Sequence, residues 1–415
     1  MNPQNRAESA KPGDLRVAVV QDGARLHYAV PQALQRAGAL DVMFSEWFVR
    51  AGMGGDVLRR LLGSRGRRWL ERRCDEIPGG RVRTNALLFL RQRRRRRSFT
   101  SDEAFYAWAS TAVGEWIRSK GLGGANALFG FIRNIDPALC RWAREQGITV
   151  VGDQIIAPAT IESQEADIQI QRWPGWEPAG ARHEWLIVED VERETWASVD
   201  HISCASEYVR DGLRRQGIAA EKISVAPYPI DAAKYLAARH SGGPLTVGFV
   251  GAVNLRKGAP YFCQIARRLA SPALRFVMVG PVQLNEKVVS DYAGVVQFVG
   301  RVSRSEVGQW MNKFDLYLFP STCEGSAGSA MEAMACGLPV IASPNAGTIV
   351  RHEIDGFIHP YDAIDDLCAS VSRLAGDASL RGEMSRQARA SAERMNLEHY
   401  GAQLLEIFRS AALRR

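Results

Sequence analysis

The sequence contains no uninterrupted apolar run of about 18 residues, the length that a membrane-spanning helix requires. Its first fourteen residues are polar and include no apolar stretch typical of a secretory leader. The seven cysteines form no CxxC pair, and their odd number argues against a disulfide framework or a zinc site. We therefore expect a reducing, cytoplasmic location, with peripheral contact at the inner face of the membrane as an open alternative.

The length and composition are those of an ordinary globular protein. At roughly 100–200 residues per domain, 415 residues predict two domains. The hydrophobic fraction of 46% is enough for a sizeable core in each of them. A net charge of +8 indicates an anionic partner, but it does not choose among nucleic acid, a membrane surface and a phosphate-bearing substrate.

Strands and helices alternate along most of the chain. An apolar strand at 15–20, a glycine-bearing loop and a helical pattern at about 28–37 predict the start of a parallel α/β domain. A second series of apolar strands predicts a second doubly wound half, at 245–250, 275–279, 295–298, 316–319 and 340–342. Residues 158–178, rich in proline and tryptophan, are predicted to be irregular.

These patterns divide the chain into four segments, with the turn cluster 240–244 as the clearest sign of a domain junction. We predict a disordered lead-in, a first Rossmann-like domain on the acceptor side with a basic insertion at about 58–97, a second Rossmann-like domain and a helical C-terminal segment. Their predicted bounds are 1–13, 14–228, 229–384 and 385–415.

The strongest motif runs from Glu324 to Val340 and lies between a strand that ends in Pro-Ser and a strand that begins after Gly-Leu-Pro. Small residues open a helix after Glu324, and a helix N-terminus without bulky side chains is an anion-binding site. Glu332 lies about one and a half turns into that helix, so the two carboxylates can contact different parts of one ligand.

A second motif follows the first strand of the second half, where Gly251 begins a loop that ends in Arg256, Lys257 and Gly258. A lysine beside a glycine in a strand-to-helix loop suits a diphosphate, and the alternative is a surface turn with two ordinary solvated cations.

Together these segments resemble the E-x7-E signature of the family-4 retaining glycosyltransferases, the glycosyl transferases group 1 with the GT-B fold. The likeness extends from about residue 201 to the C-terminus. It implies that Glu324 contacts the donor sugar, that Glu332 binds the ribose hydroxyls and that Lys257 binds phosphate. The family's usual arginine position holds Ala252, and Arg256 is the candidate replacement. Backbone N–H groups would hold the sugar or the distal phosphate at Ser326, Ala327, Gly328 and Ser329.

Weaker matches complete the resemblance. Gly280 corresponds to a glycine turn near the donor, and Arg301 with Val302 to a turn near its base. Gly23 lies in the position of the loop that faces donor and acceptor. A histidine that many family members carry after a first-domain strand has no counterpart at 150–154, where Asp153 is the candidate.

The arginine-rich segment between 59 and 97 is predicted to be a basic, partly amphipathic insertion or loop without a sheet element. It is interleaved with apolar residues, which favours contact with anionic lipid, while a solvated, disordered loop is the alternative for residues 91–97. Aromatic residues are too sparse for a base-stacking platform, so nucleic-acid binding is not expected. The candidate membrane or acceptor contacts are Arg59, Arg60, Arg67, Arg68 and Trp69.

The expected fold is two facing Rossmann-like domains with an interdomain cleft, and the resemblance implies that the last helix crosses back onto the first domain. The expected activity is transfer of a sugar from a nucleoside diphosphate sugar to a hydroxyl of a glycan or lipid-linked acceptor, with retention, in polysaccharide biosynthesis. Apart from the donor substrate no cofactor or metal is predicted. The alternatives are a nucleotide-sugar epimerase or hydrolase of this fold, and a non-catalytic, membrane-associated nucleotide-binding homologue.

Overall fold

The computed structural model describes residues 15–21, 23–49, 72–179, 184–236 and 242–414, which build two α/β domains. The first domain is organised around a seven-stranded sheet of order β3-β2-β1-β4-β5-β6-β7, and its pairings are parallel. Its strands are Val17–Val20 (β1), Leu40–Ser45 (β2), Val82–Thr84 (β3), Ala127–Phe131 (β4), Thr149–Gln154 (β5), His201–Cys204 (β6) and Ile223–Val225 (β7).

The second domain has a six-stranded parallel sheet of order β10-β9-β8-β11-β12-β13. Its strands are Leu245–Val250 (β8), Leu274–Val279 (β9), Val296–Gly300 (β10), Leu316–Phe319 (β11), Val340–Ala342 (β12) and Gly356–Ile358 (β13). The central strands are almost wholly buried, as parallel strands covered on both faces must be. Two parallel sheets with flanking helices confirm the predicted fold class.

Several helices of the first domain begin where the sequence supplies a cap. Asn85, Ser101 and Asp136 each accept a hydrogen bond from a backbone N–H of the first turn that follows. The helices of this domain are Ala29–Arg36 (α1), Ala86–Arg95 (α2), Asp102–Lys120 (α3), Pro137–Glu145 (α4), Ala159–Arg172 (α5), Trp185–Ser198 (α6) and Glu207–Arg215 (α7).

The remaining helices are Ala259–Leu269 (α8), Glu286–Tyr292 (α9), Arg304–Met311 (α10), Gly328–Ala335 (α11), Ile364–Gly376 (α12), Ala378–Arg394 (α13) and Leu397–Leu413 (α14). The last helix, α14, packs on the first domain. Leu404 and Phe408 are buried in the same apolar cluster as Val17 and Phe129 of the first sheet. The C-terminus of the chain therefore joins the two domains.

Three expectations about the first domain are corrected. Residues 159–172 form helix α5 rather than an irregular segment. The basic insertion does contain a sheet element, because β3 pairs with β2 at the edge of the first sheet. Arginines 91–97 lie in α2 and in a following 3-10 turn, so the disordered-loop interpretation is wrong for them. The predicted lead-in 1–13 lies outside the described residues, as do Arg59, Arg60, Arg67, Arg68 and Trp69.

The carboxyl edge of the first sheet meets the second domain. Ser206, which follows β6, donates a hydrogen bond of 2.6 Å to the backbone oxygen of Gly325. The backbone at Ile155 and Ile156 approaches Gly325 so closely that a Cβ there would collide with the carbonyl oxygen of Ile155. The two domains therefore face each other across the ends of their strands, which is where ligands of doubly wound sheets bind.

A second connection between the domains is made by α5 and the segment that follows it. Gln169 accepts a hydrogen bond of 2.7 Å from the Tyr261 hydroxyl of α8. Beyond the helix, the Glu177 carboxylate accepts from the backbone N–H of Leu255 at 2.6 Å. This segment thus borders the loop that carries Arg256 and Lys257. Among the described residues, no helix has both the length and the apolarity needed to cross a membrane.

Candidate functional site

Two predicted residues meet at the ends of neighbouring strands of the second sheet. Lys257 lies in the loop after β8 and Glu324 in the loop after β11, and these strands are adjacent. The Lys257 Nζ donates to Glu324 Oε1 at 2.7 Å. Arg256 Nη1 donates to the same oxygen at 2.9 Å and to the backbone oxygen of Cys323, also at 2.9 Å. The candidate phosphate-binding cations are therefore positioned by the candidate sugar-contacting carboxylate.

The Lys257–Glu324 pair is largely shielded from solvent. Glu324 is buried, and the Lys257 side chain is 18% exposed. Burial lowers the pKa of Lys257, and the charge of Arg256 lowers it further, while Glu324 acts in the opposite direction. The ammonium also lies 5.3 Å from the centre of the Phe319 ring. Electrostatic interactions are strong at such a place, and an entering anion would stabilise the charged lysine.

The loop after β8 has a shape that needs glycine at its end. Gly258 has φ +79°, and a Cβ there would also collide with the carbonyl oxygen of Pro320. Gly251 at the start of the loop donates to the Val279 backbone oxygen at 2.9 Å, and Gly280 donates to that of Gly300 at 3.0 Å. The predicted residues Gly251, Gly280 and Arg301 therefore lie in a row along the carboxyl ends of three adjacent strands.

The start of α11 is open in the way an anion site requires. The helix begins at Gly328, and no side chain among the described residues caps it. Ala327 donates its N–H to the Ala346 backbone oxygen at 3.1 Å, so it is already occupied. Ser326 and Ser329 are half-buried beside this turn, and Gly328 is exposed. The positive end of the α11 dipole therefore lies next to the Glu324 loop.

Glu332 is shielded on one side of α11. Burial raises its pKa, while a hydrogen bond from Tyr235 and the charge of Arg304 lower it. Arg304 Nη2 lies 3.8 Å from Glu332 Oε1. Sequence reasoning missed both partners. A signal for Arg304 was present, because Ser303 and Glu306 form a capping box that places Arg304 in the first turn of α10, directly after the turn of Arg301 and Val302.

The first domain contributes the loop that contains Gly23. Gly23 has φ +61°, and its N–H lies 3.4 Å from Glu46 Oε2. Further along this loop, partial burial lowers the pKa of His27, and the charges of Arg304 and Lys234 lower it further. The loop is therefore close to the second domain on the side of Glu332. Leu26 and His27 have positive φ angles of 48° and 51°, which is strained backbone for such residues.

Asp153 lies in a different environment from the other candidates. It is 1% exposed on β5, and its two carboxylate oxygens accept from Ser203 Oγ and from the Tyr228 hydroxyl, each at 2.5 Å. Burial raises its pKa to about 6, while these two hydrogen bonds lower it. This geometry favours a structural role beneath the carboxyl edge of the first sheet, and a contact with acceptor stays a prediction.

The structure brings Lys257, Arg256 and Glu324 together, and it places Glu332, on α11, near Arg304. Groups of three or more His, Cys, Asp or Glu side chains suited to a metal do not occur within the described ranges. What the arrangement offers is a pair of cations, a helix N-terminus and two separate carboxylates around one open edge, which suits a ligand with a diphosphate and several hydroxyls.

Comparison with known proteins finds a family model that is similar to the second domain. The family model for "Glycosyl transferases group 1" matches residues 244–377. A D-inositol 3-phosphate glycosyltransferase of Xylanimonas cellulosilytica is 26% identical to this chain over 253 residues, which are 54% of this chain and 60% of that protein. The match thus spans less than two thirds of that relative's length.

Solved structures share the whole two-domain architecture. Sucrose-phosphate synthase from Thermosynechococcus elongatus superposes with a TM-score of 0.64 and 16% identity, over 95% of this chain and 98% of its own. HepE of Anabaena, in complex with UDP-glucose, superposes with a TM-score of 0.60 and 14% identity, over 94% and 98% of the two chains. At these identities the likeness establishes the fold.

Proposed function

We propose that this chain, whose second domain matches the family model for glycosyl transferases group 1, moves a sugar from a nucleoside diphosphate sugar to a hydroxyl of a glycan or lipid-linked acceptor. The observation that carries the proposal is the meeting of Lys257 and Arg256 on Glu324, beside the start of α11, which none of the described side chains caps. Retention at the anomeric carbon is part of the proposal and rests on the resemblance of the Glu324 and Glu332 motif.

The chemistry of the proposed step is stabilisation of a leaving diphosphate. Lys257 and Arg256 place two positive charges on Glu324, in the loop that leads into α11, and the N-terminal end of this helix adds partial positive charge. Burial lowers the pKa of Lys257 because water solvates its ammonium poorly. A dianionic group that enters this site therefore interacts strongly with that ammonium. Fixed charges of this kind stabilise the negative charge that develops as the glycosidic bond to phosphate breaks.

The carboxylates have distinct tasks in this proposal. Glu324 holds both cations through one oxygen, Oε1, so its other oxygen, Oε2, is the one proposed to contact a sugar hydroxyl. Glu332, which lies near Arg304, accepts hydrogen bonds from the ribose hydroxyls of the donor. That HepE is described in complex with UDP-glucose supports a nucleotide sugar as the ligand of this fold.

The acceptor side of the proposal is less specific. The name of the Xylanimonas relative specifies a phosphorylated inositol as that protein's substrate, and we propose a hydroxyl acceptor of the glycan or lipid-linked class for this chain. We further propose that the enzyme acts in polysaccharide biosynthesis at the cytoplasmic face of a membrane. The proposed transfer requires no metal ion.

The test is a panel of UDP-, GDP-, ADP- and dTDP-sugars, with binding measured by calorimetry and consumption measured by chromatography. We expect one donor to bind, and Lys257→Ala to weaken its kcat/KM by about 100-fold or more, as removal of a transition-state donor group does. The matched control is Lys287→Ala, which removes a lysine whose side chain is 83% exposed on α9 of the same domain.

Products distinguish this proposal from its alternatives. Incubation without acceptor should leave the sugar nucleotide largely unchanged, whereas an epimerase would convert it and a hydrolase would release free sugar. Equal loss of activity in Lys257→Ala and Lys287→Ala, or absence of binding to every donor at millimolar concentration, would refute the assigned donor site.

A further inference from the structure

We propose that a cavity of the first domain binds a phosphate or diphosphate group of the acceptor. The inference rests on the proposed function and specifies its substrate class. The cavity has a volume of about 650 Å³, and its floor is formed by the ends of β1 and β2, at Val20, Gln21 and residues 44–46. Its walls come from α2, the turn after α2 and one face of α3. None of the residues predicted to bind the donor lines it.

The cavity is strongly cationic. Arg72 lines it together with four arginines from the end of α2 and the turn that follows, at 93, 94, 96 and 97. Glu46 pairs with Arg72, and Asp102 pairs with Arg96. Within the described part of the chain, Arg94 and Arg97 have no acidic partner. Several like charges around one concavity repel one another, and a bound anion would relieve that repulsion.

Aromatic rings hold some of these guanidinium groups in place. The Arg96 guanidinium lies 4.7 Å from the centre of the Phe105 ring, and that of Arg93 lies 5.8 Å from the Phe89 ring. Phe105 and Phe89 are themselves buried and line the cavity. Arg93 and Arg96 are therefore held against buried aromatic rings of the cavity wall, and Arg94 and Arg97 lie beside them at the exposed side of the lining. Planar guanidinium groups form paired hydrogen bonds with phosphate oxygens, which makes phosphate the best-matched anion.

The position of the cavity relates it to the acceptor. Its floor belongs to the carboxyl edge of the first sheet, the edge that meets Gly325 of the second domain through Ser206. Glu46 on that floor lies 3.4 Å from the N–H of Gly23, in the loop that approaches Arg304 of the donor half. A phosphate held here would leave the rest of an acceptor directed toward the cleft, where its hydroxyl can meet the donor sugar.

The alternative use of the same charge is contact with a flat anionic membrane. Arg91 and Arg95 distinguish the two. They are exposed on the same helix, but their guanidinium groups lie 5.6 and 5.4 Å from the Trp108 ring, outside the cavity lining. A membrane surface would use exposed arginines of α2 without regard to the cavity, whereas a ligand in the cavity depends on Arg94 and Arg97.

The experiment measures binding of inorganic pyrophosphate by calorimetry, with the full chain carrying Lys257→Ala so that the donor site is weakened. In this background we expect Arg94→Ala with Arg97→Ala to weaken binding about tenfold or more, as loss of charged hydrogen bonds does. The matched pair Arg91→Ala with Arg95→Ala removes the same charge from α2 itself, next to the other pair, and should change binding less than about twofold. Arg94→Lys with Arg97→Lys keeps the charge and should restore part of the affinity.

Three outcomes would overturn the inference: equal losses in the two double variants, no loss in either, or binding only to vesicles of phosphatidylglycerol and phosphatidylcholine and not to pyrophosphate. Geranyl diphosphate distinguishes the two sources of the phosphate. If it binds more tightly than pyrophosphate, the acceptor is lipid-linked; if the two bind equally, the acceptor is soluble. The measurement needs no turnover, so it stays decisive even if no donor sugar is consumed.

Discussion

The two domains share one architecture but build their binding surfaces differently. In the second domain the two cations and Glu324 come from short loops at the ends of adjacent strands. Backbone geometry fixes these loops: Gly258 has a left-handed φ, and no side chain in the described part of the chain caps α11. In the first domain the cavity is lined by side chains from β1, β2, α2 and α3. A site fixed by backbone leaves a compact sequence motif, and a site built from dispersed side chains does not.

The largest effect is expected where the two domains depend on one helix. Leu404 of α14 is fully buried against the first sheet, although the chain reaches it only after completing the second domain. Leu404→Ala should lower the free energy of unfolding by about 2–5 kcal/mol, because it leaves a cavity in that core. Chemical denaturation monitored by circular dichroism measures the change.

The matched control is Leu413→Ala, in the last turn of the same helix, where the side chain is 83% exposed. It should change stability by less than about 0.5 kcal/mol. If the two leucine variants lost equal stability, α14 would not be the connection between the domains that its packing indicates.

A second test concerns the meeting of the domains. A Cβ at Gly325 would collide with the Ile155 carbonyl and would lie 2.7 Å from the Ile156 Cα, so Gly325→Ala must shift one domain relative to the other. We expect kcat/KM to fall about 100-fold, since a displacement of about 1 Å can have that effect, while the donor Kd changes little. Steady-state kinetics and donor calorimetry separate the two quantities.

Gly382→Ala serves as its control, since a Cβ at that position in α13 meets no atom within 4 Å. Removal of a helical glycine should leave activity unchanged and stabilise the fold by about 0.5–1 kcal/mol. An active Gly325→Ala enzyme would mean that catalysis does not require the close approach of the two domains.

The fold was predictable to the extent that apolar periodicity determines it. The strands at 245–250, 316–319 and 340–342 have the predicted bounds. Helix α5 escaped prediction because it has few apolar residues, and its buried face includes Gln169, which bonds to Tyr261 of the other domain. Strand β3 has only three residues, two of them polar, so its pairing with β2 leaves no signal in the sequence.

The site was predictable at the level of motifs. Glu324, Glu332 and Lys257 each occur in a segment with a recognisable turn and strand. The sharing of Glu324 between Lys257 and Arg256 could not be predicted, because 67 positions separate that lysine from the glutamate and only the strand order joins them. In the first domain the likeness to the family is weak, and the cavity follows from contacts that no spacing encodes.

The smallest predicted effect tests whether Asp153 serves structure or acceptor. Burial raises its pKa to about 6, so the folded state holds this proton more tightly than the unfolded chain does. The associated stability is present at low pH and is lost as the pH rises through about 6. Asp153→Asn does not titrate and keeps an oxygen that can accept from Tyr228. Relative to the variant, the wild type should lose on the order of 2 kcal/mol between pH 4.5 and 7.5.

Denaturation at these two pH values checks the prediction, with Asp211→Asn, at an exposed carboxylate of α7, as the control that should show no such difference. Turnover supplies an independent readout. If Asp153 only supports the sheet edge, Asp153→Asn should retain activity within about threefold, whereas a contact with the reacting acceptor would make the loss about 100-fold. The difference in free energy of unfolding between Asp153→Asn and the wild type should increase with pH. If it did not, the hydrogen bonds from Ser203 and Tyr228 would offset the cost of burying the ionised Asp153 carboxylate.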